Sequence, residues 1–235
     1  MRYTALLAAI GMAAGFVLGS SGIAAADQTF IITVDQDAWV NEANPTANYG
    51  NNTYMSVKDR SGLAEAYIRF SQEELGALAG KPVTAASLFL YQYQGTNSPG
   101  DSIAVHRVGS EWNESGVSWD TRPVYDAFAV SALELSGENN TAGWREWPGL
   151  ECVVSGWSST GGTGANNFGL ALENNRDMAE GELYARFYSS EYSNAAFRPY
   201  LKVTAAPEPV SMLLFGIGGG ILAIKRRGAI NKNSQ

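Results

Sequence analysis

The middle of this sequence contains a series of short segments in which apolar and polar residues alternate, each rich in β-branched and aromatic side chains. Alternation with a period of two predicts β-strands that are buried on one face. Clusters of Gly, Asn, Pro and Ser separate the segments, as in sandwiches and jelly rolls. The pattern therefore predicts an all-β fold, a single jelly-roll-like β-sandwich. The predicted strands are residues 29–34, 53–57, 66–70, 87–93, 103–108, 168–172, 183–188 and 200–204.

One short helix is predicted within this β domain. Ser71 and Glu74 form a capping box ahead of Leu75 and Leu78, which predicts a single helical turn between two strands. The Gly- and Ser-rich residues 156–164 are interpreted as a long surface loop. No Pro- or Ser-rich linker divides the domain, so the pattern indicates one unit.

The N-terminus carries a segment that does not belong to the fold. Arg2, an apolar run and three alanines at 24–26 form the pattern of a secretory leader. We therefore expect a signal peptide helix within residues 1–26 and export of the protein. Asp27 is the expected first residue of the mature chain, and the β domain spans residues 27–205.

The C-terminal residues 206–235 begin with a rigid Pro-Glu-Pro and continue into a short hydrophobic helix at 210–224 and a basic end at 225–227. Fifteen helical residues cover about 22 Å, less than the roughly 30 Å of a bilayer's hydrocarbon core. The basic end favours a cytoplasmic position. The tail resembles the PEP-CTERM sorting signal, which implies processing by an exosortase; a single-span anchor is the alternative. The residues of this signal are Pro207, Glu208, Pro209, Lys225, Arg226 and Arg227.

Composition limits the partners of the exported domain. Residues 27–205 contain 11 basic and 22 acidic side chains, a formal net charge of −11. Nucleic acid is excluded as a partner, because binding it needs Lys and Arg against the phosphates and no basic stripe is present. A strongly anionic glycan is disfavoured too, unless the cations cluster in space. The single Cys152 excludes an internal disulfide.

Several segments occur in an order that resembles a known family. Over residues 34–204 the chain is similar to the DNRLRE domain, which is related to carbohydrate-binding module family 96. The most specific segment, residues 112–123, combines two tryptophans with Glu114 and an Arg-Pro pair. The resemblance implies a jelly-roll β-sandwich on secreted or surface proteins, with acidic polysaccharides such as alginate among the ligands. The segments are residues 37–40, 48–51, 67–70, 83–91, 107–108, 112–123, 167–170, 187–191 and 198–203.

The resemblance also implies structural roles for the residues that carry it. Trp112 and Trp119 are expected to close the core, and Glu114 and Arg122 to form an ion pair beside them. The residues assigned to this structural motif are Asp37, Asn48, Tyr49, Gly50, Trp112, Glu114, Trp119, Arg122 and Pro123.

The sequence offers little for catalysis. His106 is the only histidine and no G-x-S-x-G elbow is present, so a Ser-His-Asp or Cys-His arrangement has little to build on. A glycosidase needs two carboxylates, for which Glu111 and Glu114 beside Trp112 are the best candidates. We expect no catalytic residue. A polysaccharide lyase or glycosidase is a remote alternative, which a deep cleft joining Tyr, Arg and His106 would favour.

The sequence also contains few residues that could bind a transition metal. The single histidine and single cysteine cannot form a zinc site, and no cofactor is expected. A structural Ca²⁺ is the remaining metal, because exported β-sandwiches fix loops through oxygen ligands. Oxygen ligands concentrate in one region without a spacing specific for calcium. They are Asp35, Asp37, Asn48, Asn51 and Asp59.

Aromatic side chains are the candidates for ligand binding, because the faces of Tyr and Trp stack on sugar rings. Trp144 and Trp147 lie in a polar segment bounded by Gly and Pro, where we expect exposure. Tyr91 and Tyr93 alternate with glutamines, so one of the two sets faces outward. Clustered exposed aromatics would favour a glycan-binding module, and a uniformly polar surface would favour a structural protein.

These observations predict an exported, non-catalytic carbohydrate-binding module of the cell envelope or exopolysaccharide matrix of a Gram-negative bacterium. The tail is expected to hold it in the inner membrane at least before processing. Its expected partners are exosortase-type sorting machinery and a polysaccharide or matrix component. A structural matrix or adhesion protein without a defined glycan ligand is the main alternative.

Overall fold

The structure, a computed structural model, describes residues 26–59, 62–96, 102–135, 141–158, 166–175 and 184–207, and β-strands account for nearly half of them. Two short helices, α1 at Gln72–Gly76 and α2 at Glu151–Ser158, and a 3₁₀ turn at Ala195–Phe197 are also present. The prediction of a mostly β fold is confirmed. The strands are β1 Gln28–Asn41, β2 Tyr54–Lys58, β3 Ala64–Phe70, β4 Val83–Thr96, β5 Ser102–Arg107, β6 Ser131–Glu134, β7 Gly143–Trp147, β8 Leu170–Asn175, β9 Tyr184–Tyr188 and β10 Tyr200–Ala205.

The two predicted terminal segments fall almost entirely outside the described residues. The leader at 1–25 and the sorting tail from Glu208 onward are not among them. Within the described part, no helix is long and apolar enough to cross a membrane. The signal peptide and the sorting signal therefore stay predictions from the sequence.

The strands pair antiparallel in a sheet that folds back on itself, as in a sandwich or barrel. The first half of β1 pairs with β10, and a bulge between Val34 and Gln36 directs its second half onto β3. A bulge bends a strand, which lets β1 serve both sides of the fold. One side is β1-β10-β4-β9-β2 with β7 beside β4, and the other is β1-β3-β8-β5-β6. The jelly-roll assignment itself stays a prediction.

The alternation in β4 shows how the sequence fills the core. Leu88 and Leu90 are fully buried, whereas Phe89, Tyr91 and Tyr93 are half-buried on the opposite face of the sheet. A fully buried leucine side chain stabilises the fold by about 1.5–3 kcal/mol relative to exposure. The inward rows thus hold the two sides together, and the outward rows of neighbouring strands form a surface of their own.

The predicted capping box begins α1. The hydroxyl oxygen of Ser71 accepts a hydrogen bond from the backbone N–H of Glu74 at 3.3 Å. Leu75 and Leu78 are fully buried, so this turn covers one end of the core. The predicted helical turn between two strands is confirmed.

The sequence pattern did not predict α2. Val154, Trp157 and Ser158 are its buried residues, and its first residue, Glu151, accepts a hydrogen bond from the N–H of Ala86 in β4 at 3.2 Å. Residues 156–158 of the predicted surface loop therefore belong to a helix, and 159–165 lie outside the described residues.

Candidate functional site

Aromatic side chains cover the outer face of the side formed by β10, β4, β7, β9 and β2. Outward positions on paired strands lie opposite one another, as Tyr200 does to Phe89 and Trp144 to Tyr91. The turn after β9 adds two more rings to this surface. We call it the aromatic band, and its members are Tyr54, Phe89, Tyr91, Tyr93, Trp144, Tyr188, Tyr192, Phe197 and Tyr200.

Ring contacts run without interruption along the aromatic band. Tyr188 is its centre, with Tyr93 stacked at 4.6 Å, Tyr91 at 5.8 Å and Tyr192 at 3.5 Å between ring centroids. The hydrogen bond with Tyr192 raises the pKa of Tyr188 to about 12. Trp144, 36% exposed, meets Tyr91 edge-on at 5.5 Å. Such mutual packing orients the rings before any ligand arrives.

Three of the four predicted ligand-binding aromatics lie together in this band, and the fourth does not. Tyr91, Tyr93 and Trp144 are members, whereas Trp147 is 0% exposed and donates its indole N–H to the carbonyl of Ile103 at 3.0 Å. The expectation that Trp147 is exposed is wrong. Residues three apart on a strand point to opposite faces, so one of the two tryptophans on β7 must face the core.

A cavity of about 320 Å³ adjoins the Tyr54 end of the band. Arg186 connects the two, because its guanidinium lies over the ring of Tyr54 at 4.8 Å while its side chain lines the cavity. We call this cavity the Trp39 pocket. Its lining residues are Trp39, Asn41, Ser56, Lys58, Ala64, Thr96, Tyr184 and Arg186.

Two buried N–H donors of the Trp39 pocket are unsatisfied. Neither the indole Nε1 of Trp39 nor the Nε of Arg186 has a hydrogen-bond partner among the described residues. A buried donor without a partner costs about 1–3 kcal/mol, and an acceptor in the pocket would recover that cost. Lys58 and Arg186 add positive charge, and no carboxylate is among the described lining residues. The pocket suits a ligand rich in oxygen acceptors.

The structural motif around residues 112–123 packs against the second half of β1, beside Ala38 and Val40, whereas Trp39 belongs to the other core cluster. Trp112 is 7% exposed and donates its indole N–H to the carbonyl of Phe168 at 2.8 Å. Asn48 donates to the backbone carbonyls of Glu114 and Val117, each at 2.7 Å, which fixes the loop. Tyr49 stacks on Trp39 at 4.0 Å, and so joins this motif to the pocket.

The predicted ion pair between Glu114 and Arg122 is wrong. The Nε of Arg122 lies 3.2 Å from a carboxylate oxygen of Glu65, and its guanidinium stacks on the half-buried ring of Trp119 at 3.7 Å. Pro123, the last residue of the motif, is buried. Glu114 instead accepts a hydrogen bond from the backbone N–H of Asp37 at 2.9 Å. The strand register of β3 brings Glu65 to the arginine, which the linear motif does not reveal.

Glu114 belongs to a group of three acids that we call the carboxylate cluster, with Asp37 and Glu191. Each contributes an oxygen, and these oxygens lie within 4.8 Å of one another. Asp37 is 1% exposed, and burial together with the negative charge of Glu191 raises its pKa well above the usual value. Burial also raises the pKa of Glu114. Of the five predicted calcium ligands, only Asp37 is in this cluster.

A polar network on the other side of the fold joins Tyr125, Glu173 and His106. Tyr125 donates to Glu173 at 2.6 Å, and the Nε2 of His106 lies 3.1 Å from the same carboxylate. His106 is only 4% exposed, and the cavity beside Glu65 and Glu173 is about 20 Å³, roughly the space of one water. Burial and the hydrogen bond to Glu173 raise the pKa of Tyr125, which disfavours it as a base. Tyr125 also lines a cavity of about 320 Å³ together with Arg122, and His106 is not among the described residues that line it.

Sequence reasoning missed several residues of these sites. Tyr184, Arg186 and Tyr188 alternate along β9, and this alternation was a usable signal for an outward polar and aromatic row. No such signal was present in the sequence for Glu191, because only the fold brings it to Asp37, 154 residues earlier in the chain.

Comparison with known proteins agrees with this geometry. The model of carbohydrate-binding module family 96 matches residues 28–205, which is all ten strands. No curated protein matches the chain. Because the family match covers most of the sequence, this chain belongs to carbohydrate-binding module family 96.

Proposed function

We propose that this protein is an exported, non-catalytic carbohydrate-binding module of the cell envelope or exopolysaccharide matrix, and that the aromatic band holds its glycan. The aromatic band is the observation that carries the proposal. It presents rings from five strands, and from the connection between β9 and β10, on a single face. Flat apolar faces with polar edges are what the C–H faces and hydroxyls of pyranose rings require.

The Trp39 pocket defines the end of the proposed site. A sugar chain stacked along Tyr91, Tyr93 and Tyr54 would reach Arg186 and the pocket next. Two unsatisfied donors and two cations there favour an oxygen-rich, acidic sugar unit. The formal charge of −11 over residues 27–205 disfavours a long polyanion. The ligand we propose is a neutral or weakly charged glycan that presents an acidic sugar to the pocket.

Export and sorting form the second part of the proposal. The leader and the Pro-Glu-Pro tail support secretion across the inner membrane and exosortase processing, with the domain at the cell surface or outside the cell. Glycan binding by the β domain would then attach the protein to extracellular polysaccharide. A structural matrix protein without a defined ligand is the rival, and it predicts no saturable glycan binding.

A glycan array probed with the purified full chain tests the binding proposal. We expect saturable binding to a small set of glycans, and Trp144→Ala should weaken it roughly 10- to 100-fold, about 1.4–2.8 kcal/mol. Phe128→Ala is the matched control, because Phe128 is an 88% exposed aromatic outside the band. It should bind as the wild type does.

Two outcomes would count against the proposal. Absence of binding by a folded full chain would favour the structural matrix protein. Equal losses in Trp144→Ala and Phe128→Ala would show that the band is not the site. Incubation of each bound glycan with the protein, followed by an assay for new reducing ends, separates binding from the remote alternative of a lyase or glycosidase.

A further inference from the structure

The carboxylate cluster joins three distant parts of the chain, and its Glu191 directly precedes Tyr192 of the aromatic band. Asp37 comes from the second half of β1, Glu114 from the loop that follows β5, and Glu191 from the turn after β9. We propose that these three carboxylates bind one Ca²⁺ ion. The inference does not depend on glycan binding.

The spacing of the oxygens fits a shared ion. Calcium is bound by oxygens at 2.3–2.6 Å, so two ligands of one ion are at most roughly 5 Å apart. The three carboxylate oxygens fall within 4.8 Å of one another. Three like charges at this distance repel strongly unless a proton or cation lies between them.

The surroundings of the cluster do not neutralise it. None of the three carboxylates forms an ion pair with a described residue, and the nearby Arg69 binds Asp35 at 3.1 Å instead. Hydrogen bonds reach the cluster from neutral groups, namely the N–H of Asp37 and the N–H and hydroxyl of Ser190. These bonds hold the oxygens in place and leave the charge uncompensated.

An unsatisfied atom points independently to a missing partner. The Oε2 of Glu191 is fully buried and has no hydrogen-bond partner among the described residues, while its Oε1 accepts the hydroxyl of Ser190 at 2.6 Å. Asp37 beside it is 1% exposed. A buried carboxylate oxygen without a donor is rare, because its desolvation is not repaid. A cation supplies the missing partner.

The donor set selects the type of cation. All three side chains offer hard carboxylate oxygens, and neither His106 nor Cys152 is part of the cluster, which disfavours zinc and copper. Mg²⁺ demands a near-octahedral shell and releases its waters reluctantly, whereas Ca²⁺ accepts irregular oxygen ligands. Extracellular calcium modules bind with a Kd of about 10⁻⁴–10⁻³ M, which is the range expected here.

Calcium titration of the full chain, first stripped with EGTA, tests the site. We expect Ca²⁺ to raise the Tm of the wild type, and Tb³⁺ to bind with luminescence sensitised by nearby aromatic rings. Glu191→Gln should weaken Ca²⁺ binding more than about 10-fold, since even outer partners of metal ligands are worth 10- to 100-fold. Glu111→Gln, an exposed neighbour of Glu114 in the same loop, is the matched control and should respond like the wild type.

A change of sign separates metal binding from a merely structural role. In EGTA, Glu191→Gln should have a higher Tm than the wild type, because it removes one of the repelling charges; in saturating Ca²⁺ it should have the lower one. A wild type that shows neither a Tm shift nor Tb³⁺ luminescence would overturn the proposal. So would a calcium response in Glu191→Gln and Glu114→Gln equal to that of the wild type, because the ion would then bind elsewhere.

Discussion

Gly50 is the position where the smallest change in side chain should have a large effect. It is buried, and its N–H donates to the side chain of Asn48 at 3.3 Å. A Cβ at this position would lie 2.4 Å from the carbonyl oxygen and 2.7 Å from the Cγ of Glu114. Both distances are far shorter than a van der Waals contact, and the first is to backbone. Gly50→Ala therefore forces the Glu114 loop away from the segment that carries Gly50.

The magnitude follows from what the displaced loop holds. Overpacking in a closely packed region costs about 1–3 kcal/mol. The carbonyl of Glu114 also accepts the 2.7 Å hydrogen bond from Asn48, and weakening that bond adds about 0.5–1.5 kcal/mol. The total loss is roughly 2–4 kcal/mol. For a protein of this length, such a loss lowers the Tm by roughly 4–16 °C.

Thermal unfolding followed by circular dichroism measures this effect, with Gly76→Ala as the control. Gly76 lies in α1, and a Cβ there meets nothing within 4 Å. Alanine has the higher helix propensity, so Gly76→Ala should stabilise the protein by about 0.5–1 kcal/mol. An unchanged Tm for Gly50→Ala would refute the reasoning, because it would mean that the Glu114 loop moves without cost.

The remaining predictions concern the core and the single histidine. Trp147→Ala should lower the free energy of unfolding by about 3–5 kcal/mol in urea denaturation, because the ring is fully buried. Trp144→Ala should lower the free energy of unfolding clearly less. Equal losses in the two variants would contradict the assignment of the two tryptophans to opposite faces of β7. Burial lowers the pKa of His106, but the carboxylate of Glu173 and the carbonyl of Asp126 outweigh it and raise the pKa above 6.5. Its contribution to stability is therefore complete below pH 6.5 and lost as pH rises through the folded-state pKa. His106→Gln should flatten the pH dependence of the free energy of unfolding above pH 6.5, and an unchanged slope would exclude this role.

Alternation predicted most of the longer strands in which one face is core and the other is exposed. In β4, Leu88 and Leu90 point inward and Tyr91 outward, as a period of two requires. The four-residue strand β6 is too short to show a period in its sequence. The short elements β7 and α2 were not predicted for the same reason. An eight-residue helix completes barely two turns, so tertiary contacts decide its structure.

The error at Trp147 has a simple cause. The Gly and Pro at the ends of the segment favoured exposure of both tryptophans, because no strand was predicted there to place them on different faces. Once residues 143–147 are a strand, Trp144 and Trp147 must face opposite sides. The carboxylate cluster is different in kind, since Asp37 and Glu191 meet only through the register of β1 and the turn after β9. No local sequence pattern indicates that Asp37 and Glu191 lie close together.

The acidic net charge of the domain is compatible with an acidic sugar in the Trp39 pocket, because charges far from the pocket are screened. At physiological ionic strength the Debye length is about 8 Å, so a sugar in the Trp39 pocket responds mainly to the charges that line it. Those are Lys58 and Arg186, with two unsatisfied donors beside them. A long polyanion would instead extend over surface governed by the net charge of −11. The domain can therefore favour a single acidic sugar at one end of a neutral chain while repelling a uniformly charged one.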